Sequence, residues 1–156
     1  MATRPALRMA NAEAEAAVQT FMAGLQAGHD RRDAEVLNAQ FAADVAWGSP
    51  YGALVVGYDQ LHPIHALFQQ NAGAQTFRYQ VRHVVAVSDD VVVAHIARLA
   101  LAEDGEPLTP SLDPQQPMSE MVMFVLVRRN GEWWLAAGQN TPMRPGGAVS
   151  ATAGSS

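Results

Sequence analysis

Histidine is the residue type in this chain best suited to proton transfer near neutral pH, and two of its five histidines lie in apolar segments. His95 stands in the run VVVAHIARLAL, and His65 projects from the apolar face of a predicted helix that also carries Leu61 and Phe68. Burial favours the neutral imidazole, which can act as a base. We therefore predict His95 as a base and His65 as its partner acid or orienting group. The alternative for each is a structural histidine that hydrogen-bonds to a neighbour.

Other side chains are suited to holding a small molecule beside these imidazoles. Asn140 would donate a hydrogen bond from the last strand, and the methionines would give a soft wall for an apolar ligand. Packing in the core is the alternative for the apolar residues among them. The predicted ligand-binding residues are Phe21, Trp47, Ser49, Tyr51, Tyr58, Leu99, Met121, Met123 and Gly138.

Composition excludes several kinds of chemistry in this chain of 156 residues. Without cysteine there is no disulfide, thiolate nucleophile or cysteine-ligated metal, and without lysine there is no Schiff base or phosphate-binding lysine. A net charge of -5 with no arginine-rich face argues against nucleic acid as a partner. His62 and His65 have a possible metal spacing, but no carboxylate is visibly convergent with them, and there is no dinucleotide-binding glycine motif. We predict neither a metal nor a cofactor.

The N-terminus lacks the features of a secretory signal, and no apolar run reaches the roughly 20 residues that a membrane span requires. We expect a cytoplasmic protein that does not enter the membrane.

Hydrophobic periodicity predicts three helices followed by long strands. The first helix covers about residues 11–27 and ends at Gly28, the second is capped by Asp30, and the third is capped by Asp59. Strands are predicted at 45–48, 54–56, 76–87, 91–102, 118–129 and 132–141, the last two joined by a hairpin at Asn130-Gly131. This order indicates an α+β fold in which three helices pack on one face of a curved, mostly antiparallel sheet. Residues 1–141 form one domain in this interpretation, and residues 142–156 form a flexible tail.

Two segments resemble a known group of proteins. The stretch FAADVAWGSPYGALVVGYDQL (residues 41–61) resembles the core of SnoaL-like proteins in the nuclear transport factor 2 and ketosteroid isomerase superfamily. The stretch GEWWLAAGQNTP (residues 131–142) is similar to the last strand of its SgcJ/EcaC-type branch. The resemblance implies a conical cup, a cystatin-like α+β barrel, with an apolar pocket and commonly a homodimer.

The resemblance also implies where a ketosteroid isomerase would carry its base, its tyrosine and its protonated aspartate. By ungapped matching those positions hold Ser49, Phe21 and Met123. Serine alone is too weak a base, and neither phenylalanine nor methionine can donate to a developing oxyanion. We therefore predict the fold without that isomerase mechanism.

Strand alternation divides the final hairpin into two faces. Pairing around Asn130-Gly131 without irregularity puts Met121 and Met123 on the face of Gly138 and Asn140. The resemblance makes this the concave face and turns His95 and Leu99 toward it. A second subunit is expected on the opposite face, which would also carry Arg98. A register slip of one residue would exchange the two faces. The residues predicted on that opposite face are Glu120, Val122, Phe124, Trp133 and Leu135.

Two functions of different class remain open at this stage. The first is a cofactor-independent enzyme that isomerises, dehydrates or cyclises an apolar, polyketide-like molecule bearing a carbonyl or hydroxyl group. The second is a dimeric protein that binds such a molecule without chemistry. A pure dimerisation module, with its pocket filled by side chains, is a third possibility.

Overall fold

Helices cover one face of a six-stranded sheet in the computed structural model, which describes residues 1–146. Each predicted element is present, and the α+β class is confirmed. In chain order the elements are α1 (Ala12–Arg31), α2 (Ala34–Leu37), β1 (Phe41–Gly48), β2 (Leu54–Val56), α3 (Tyr58–Asn71), β3 (Phe77–Ser88), β4 (Val91–Ala100), β5 (Glu120–Arg129) and β6 (Glu132–Pro142).

The strands lie in the order β2-β1-β6-β5-β4-β3. Strand β1 pairs with β6 in parallel, and every other pairing is antiparallel. The sheet is therefore mixed, and within residues 1–146 its edge strands β2 and β3 do not pair with each other. The predicted packing of three helices on one face of a mostly antiparallel sheet is confirmed, and within residues 1–146 the sheet does not close on itself.

The core lies between α1 and the inner face of the sheet. Phe21 on α1 meets Phe124 on β5 edge to face, with ring centroids 5.3 Å apart, and it also contacts Phe41 on β1. Burying an aliphatic or aromatic side chain of this size contributes about 1.5–3 kcal/mol. Because all three phenylalanines are buried, Phe21 supports the inner wall from behind and does not reach a ligand.

Helix α1 runs one turn further than its sequence predicts. Asn11 caps its start by accepting from the Ala14 N–H at 3.0 Å, and Arg32 ends it in the left-handed conformation with φ 54°. Gly28 lies inside the helix, where an added Cβ would stand 2.4 Å from Leu37 Cα on α2. Glycine is needed here for close helix packing, so its predicted role as a helix end is wrong. Asp33, in place of Asp30, caps α2.

A bulge in β6 decides which side chains of β5 face inward. The hairpin at Asn130-Gly131 forms as predicted, but Leu126 pairs with Leu135 while Val125 pairs with Ala137. Ala136 is the extra residue, and beyond it every β5 side chain changes partner by one position. Val122 therefore lies opposite Asn140, and Phe124 lies opposite Gly138.

The predicted concave face of β4 and β5 is the outer face in the structure. His95 pairs with His83 on β3 and Met123 on β5, and the two imidazole centroids are 6.5 Å apart. Met123 is 40% exposed on this face. The inward placements predicted for His95, Leu99, Met121 and Met123 are wrong, because strand alternation sends Ile96 and Val122 into the core instead. Arg98 faces inward, also contrary to prediction.

The tail prediction covers residues 142–156, of which Pro142 is the last residue of β6. Residues 147–156 lie outside the described residues. Among the helices of residues 1–146, none has both the length and the apolar composition needed to cross a bilayer.

Glycine replacement on α1 tests the close contact with α2. We expect Gly28→Ala to lower the free energy of unfolding by about 2 kcal/mol or more, because the new methyl group would overlap the Leu37 backbone. Gly24→Ala is the matched control on the same helix, where the nearest atom to a Cβ is the side-chain Gln40 Oε1 at 3.9 Å. It should be neutral or stabilising by up to about 1 kcal/mol. Urea unfolding measures both, and equal effects would contradict the packing.

Candidate functional site

A cavity of about 660 Å³ lies between the helices and the inner face of the sheet. Its volume is within the range of small-molecule sites, which are mostly apolar with a few convergent polar groups. Apolar walls come from α3, β1 and β5, including Phe68, Trp47 and Val122. The polar residues among those lining it include His29, Ser49, His65, Gln69, Tyr79, Arg98, Glu120 and Asn140.

His65 is the imidazole that the fold turns into this cavity. It lies on α3 one turn after Leu61, is only 8% exposed, and packs edge-on against Trp47 with centroids 5.0 Å apart. Its Nδ1 is 2.8 Å from Oδ1 of Asn38. An amide oxygen only accepts, so the Nδ1 of His65 carries the proton and donates. The lone pair of the neutral ring is then on Nε2.

The surroundings of His65 keep it neutral. Burial lowers the pKa of His65 to about 4, and the positive charges of His62, when protonated, and Arg98 act in the same direction. At neutral pH the ring is therefore a base with an unprotonated nitrogen, as burial in an apolar segment had indicated.

A buried charge pair lies on the sheet side of the cavity. The carboxylate of Glu120, a residue only 4% exposed, has its Oε2 3.8 Å from Nη1 of Arg98. The same oxygen accepts from Nδ2 of Asn140 at 2.6 Å. The guanidinium of Arg98 also lies over the ring of Phe77, 3.5 Å from its centroid. A buried carboxylate needs such partners to offset its lost hydration.

One acceptor in this group is left without a partner. Within the described chain, Oδ1 of Asn140 is buried and receives no hydrogen bond. A buried amide oxygen costs about 1–3 kcal/mol when it is unpaired. Asn140 belongs to the cavity lining, so a rotation of its amide would bring this acceptor within reach of a hydroxyl group on a bound molecule.

Two groups that burial keeps neutral, His29 and Tyr79, lie near Arg98. Burial lowers the pKa of His29, and the charge of Arg98 lowers it further. Burial raises the pKa of Tyr79, although Arg98 opposes that change. His29 packs edge-on against Phe77, with centroids 5.1 Å apart. His29 is buried because α1 continues past Gly28 to Arg31.

Five of the predicted site residues line the cavity. His65 and Asn140 do so as described, and Trp47 forms part of the wall. The Oγ of Ser49 accepts from the backbone N–H groups of Tyr51 and Ala53, at 3.2 and 3.1 Å, and so shapes the turn at the mouth. Tyr51 is 80% exposed there.

The other predicted site residues lie elsewhere. Tyr58 stacks on His62, 5.0 Å between centroids, outside the cavity lining. A Cβ at Gly138 would be 3.0 Å from the Trp47 ring, so this glycine makes room for Trp47 and not for a ligand. Phe21 belongs to the core. The outer-face residues His95, Leu99, Met121 and Met123 are likewise absent from the lining.

Sequence reasoning missed the charge pair and the amide that positions His65. Arg98 and Glu120 are direct cross-strand partners on β4 and β5. The available signal was the presence of two opposite charges within otherwise apolar strands. The prediction placed both residues on the outer face because it did not include the bulge in β6. Asn38 is only 1% exposed, and its position just after the four-residue helix α2 gave no sign of a contact with α3.

No group of three or more His, Cys, Asp or Glu side chains within residues 1–146 is placed to hold a metal ion. The nitrogen atoms of His62 are engaged by other partners, since its Nε2 is 2.9 Å from Oε1 of Glu35.

Comparison with solved structures identifies the fold. A Nostoc punctiforme domain of unknown function with a cystatin-like fold is 14% identical, with a TM-score of 0.72 over 86% of this chain and 80% of its own. A nuclear transport factor 2-like protein from Pseudomonas putida is 17% identical, with a TM-score of 0.69 over 84% and 87%. A ketosteroid isomerase-like protein from Erwinia carotovora is 18% identical, with a TM-score of 0.66 over 87% and 100%.

The chain has the cystatin-like fold of the nuclear transport factor 2-like and ketosteroid isomerase-like proteins. This confirms the predicted superfamily resemblance at the level of fold, while the narrower SgcJ/EcaC-type assignment stays a prediction. No family model and no curated protein matches the sequence. Because this fold carries many unrelated functions, the chemistry must be argued from the cavity itself.

The lowered pKa of His65 predicts how stability depends on pH. Because its pKa falls from 6.5 to about 4 on folding, the unfolded chain binds the proton more readily. The stability contributed by neutral His65 is fully present above about pH 6.5 and is lost as the pH falls toward 4, by up to about 3 kcal/mol. We expect His65→Gln to flatten this dependence in urea unfolding measured across that range. His83→Gln, at an exposed position, should leave it unchanged, and equal slopes in wild type and His65→Gln would refute the assignment.

Proposed function

We propose that this chain is a cofactor-independent enzyme that transfers a proton on a small, mostly apolar molecule bearing a carbonyl or hydroxyl group, of a polyketide-like kind. The observation that carries the proposal is the neutral His65, whose Nε2 lone pair is unused by the described residues, in a cavity that also holds a buried charge pair. A positioned base within an apolar cavity is the arrangement that general base catalysis requires.

His65 would take the proton from the substrate at Nε2. The substrate proton would come from a hydroxyl group or from the carbon beside a carbonyl. The resulting imidazolium keeps its Nδ1–H bond to Asn38, so the ring does not need to reorient. It can then return the proton to another atom of the substrate. A general base of this kind contributes about 10²–10⁴-fold to the rate.

Arg98 and Asn140 would supply the polar contacts at the sheet side. Negative charge develops on the substrate oxygen as the proton leaves, and a guanidinium N–H of Arg98 can donate to it. The unpaired Oδ1 of Asn140 has almost no accessible surface in this structure, so it would accept from a substrate hydroxyl once the amide turns toward the cavity. The apolar walls, including Phe68 and Val122, would bind the remainder of the molecule and exclude water. This arrangement favours a substrate that combines an apolar skeleton with at least one donor and one acceptor.

A ligand-binding protein without chemistry is the second candidate. It is favoured by the fact that both partners of the Glu120 carboxylate come from the protein itself, Arg98 by an ion pair at 3.8 Å and Asn140 by a hydrogen bond, which leaves that group structurally satisfied. Both candidates require a bound small molecule. Only the enzyme requires that the molecule exchange a proton with His65.

Exchange of carbon-bound hydrogen for deuterium separates these candidates. The probe is 2-tetralone, an apolar bicyclic ketone with acidic hydrogens beside its carbonyl, incubated with the protein in D₂O and followed by mass spectrometry. We expect the protein to accelerate deuterium uptake, and His65→Gln to reduce that acceleration by about 10²-fold or more.

His83→Gln is the matched control, since this exposed imidazole lies on the outer face, away from the cavity. It should exchange the probe at the wild-type rate. Probe that binds by native mass spectrometry but takes up no deuterium beyond the buffer rate would favour the binding protein. Equal acceleration by wild type and His65→Gln would reject His65 as the base.

A further inference from the structure

A chain of polar side-chain contacts connects the protein surface to His65. The exposed carboxylate of Glu35 is 2.9 Å from Nε2 of His62. The Nδ1 of His62 is 3.0 Å from Nδ2 of Asn38, whose Oδ1 is 2.8 Å from Nδ1 of His65. The amide of Asn38 is thus held between two imidazoles, and both present the same nitrogen to it.

The order of donors along this chain follows from what each group can do. The Nδ2 of Asn38 only donates, so in its neutral form His62 accepts at Nδ1 and carries its proton at Nε2, beside the Glu35 carboxylate. Nδ2 of Asn38 therefore donates to His62, and Oδ1 of Asn38 accepts from Nδ1–H of His65. The position of one proton on His62 thereby fixes which nitrogen of His65 carries the proton.

We propose that the Asn38 amide is a two-position switch that couples the charge of His62 to the tautomer of His65. In one position the His65 nitrogen that faces the cavity is an acceptor, and in the other it is a donor. In catalysis this would select between a base and an acid, a consequence that rests on the proposed function. Asn38 is in this view a positioning residue that acts through His65.

Protonation of His62 drives the exchange because it removes an acceptor. The new Nδ1–H of His62 would face Nδ2 of Asn38, which is also a donor, across 3.0 Å. Rotation of the amide by half a turn presents Oδ1 to His62 and Nδ2 to His65. The Nδ1 of His65 must then accept, so that ring loses its proton at Nδ1 and gains one at Nε2, with no net change in its charge.

The other groups that face these rings set the competition. Oη of Tyr58 is 3.2 Å from Nδ1 of His62 and could accept the new proton in place of Asn38. Burial, with the charges of Glu35 and Asp59, raises the pKa of Tyr58, so it stays a neutral phenol. Phe41 and Trp47 on β1 pack their rings against His65, and the positive charge of Arg98 on β4 also acts on it. Removing the Tyr58 hydroxyl should therefore strengthen the coupling.

The tautomer of His65 can be measured directly in the ligand-free protein. Long-range ¹H–¹⁵N spectra of the full chain, labelled at histidine, distinguish Nδ1–H from Nε2–H, and we would record them between about pH 8 and pH 5. The pKa of His65 is about 4, so a change within this range reports its tautomer and not its charge. We expect Nδ1–H at the upper end and a growing fraction of Nε2–H as His62 becomes charged.

Three variants make the outcome decisive. Asn38→Asp can only accept from both imidazoles and should hold His65 as Nδ1–H throughout, and His62→Phe should do the same because nothing titrates. Tyr58→Phe, a mild substitution outside the core, should increase the Nε2–H fraction of folded protein at a given pH. Wild-type His65 that stays Nδ1–H while His62 titrates would overturn the proposal, as would an Asn38→Asp protein that switches like wild type.

These measurements contain no substrate, so they separate this inference from the proposed function. Failure of the switch would leave His65 as a base of fixed tautomer, and the deuterium uptake expected above would stand. Loss of that uptake would remove the catalytic meaning of the switch but would not alter the spectra.

Discussion

A single unpaired residue in the last strand determines the character of the cavity. Side chains alternate along a strand, so the extra position at Ala136 reverses the relation between the faces of β5 and β6. Because of this extra residue, Glu120 and Phe124 lie on the same face of the sheet as Asn140. In a regular hairpin, Met121 and Met123 would lie on that face. The charged and apolar lining on this side of the cavity depends on that reversal.

The fold could be predicted from the sequence because its signals are local. The Asn130-Gly131 turn, the apolar stripe of α1 and the change from helical to strand period each specify an element without reference to distant residues. His65 was found for the same reason, since the apolar face it shares with Leu61 is a property of one helix. The charge pair could not be placed, because its facing depends on pairing between strands, and the bulge has no signature in the composition of β6.

The cavity contains two polar systems of different kinds within apolar walls. On the α3 side, an uncharged imidazole is oriented by the amide of Asn38. On the sheet side, the carboxylate of Glu120 lies 3.8 Å from Arg98 and accepts a hydrogen bond from Asn140. The positions at which a ketosteroid isomerase would carry its working groups hold Ser49, Phe21 and Met123, and none of them acts in this cavity as the isomerase residue would. The same scaffold therefore presents its polar groups from different strands and a different helix, which illustrates how weakly fold constrains chemistry.

The parallel pairing of β1 with β6 has a consequence for how the chain reaches its native state. Trp47 and Gly138 are paired neighbours although most of the sequence separates them. Closing so long a loop is entropically costly and slow compared with forming the hairpins on either side. During synthesis, β1 can pair with β2 early, but the side of β1 that pairs with β6 has no neighbour until β6 has left the ribosome. Until then the contacts of Trp47 across the sheet are incomplete, so the binding site is among the last parts of the molecule to assemble.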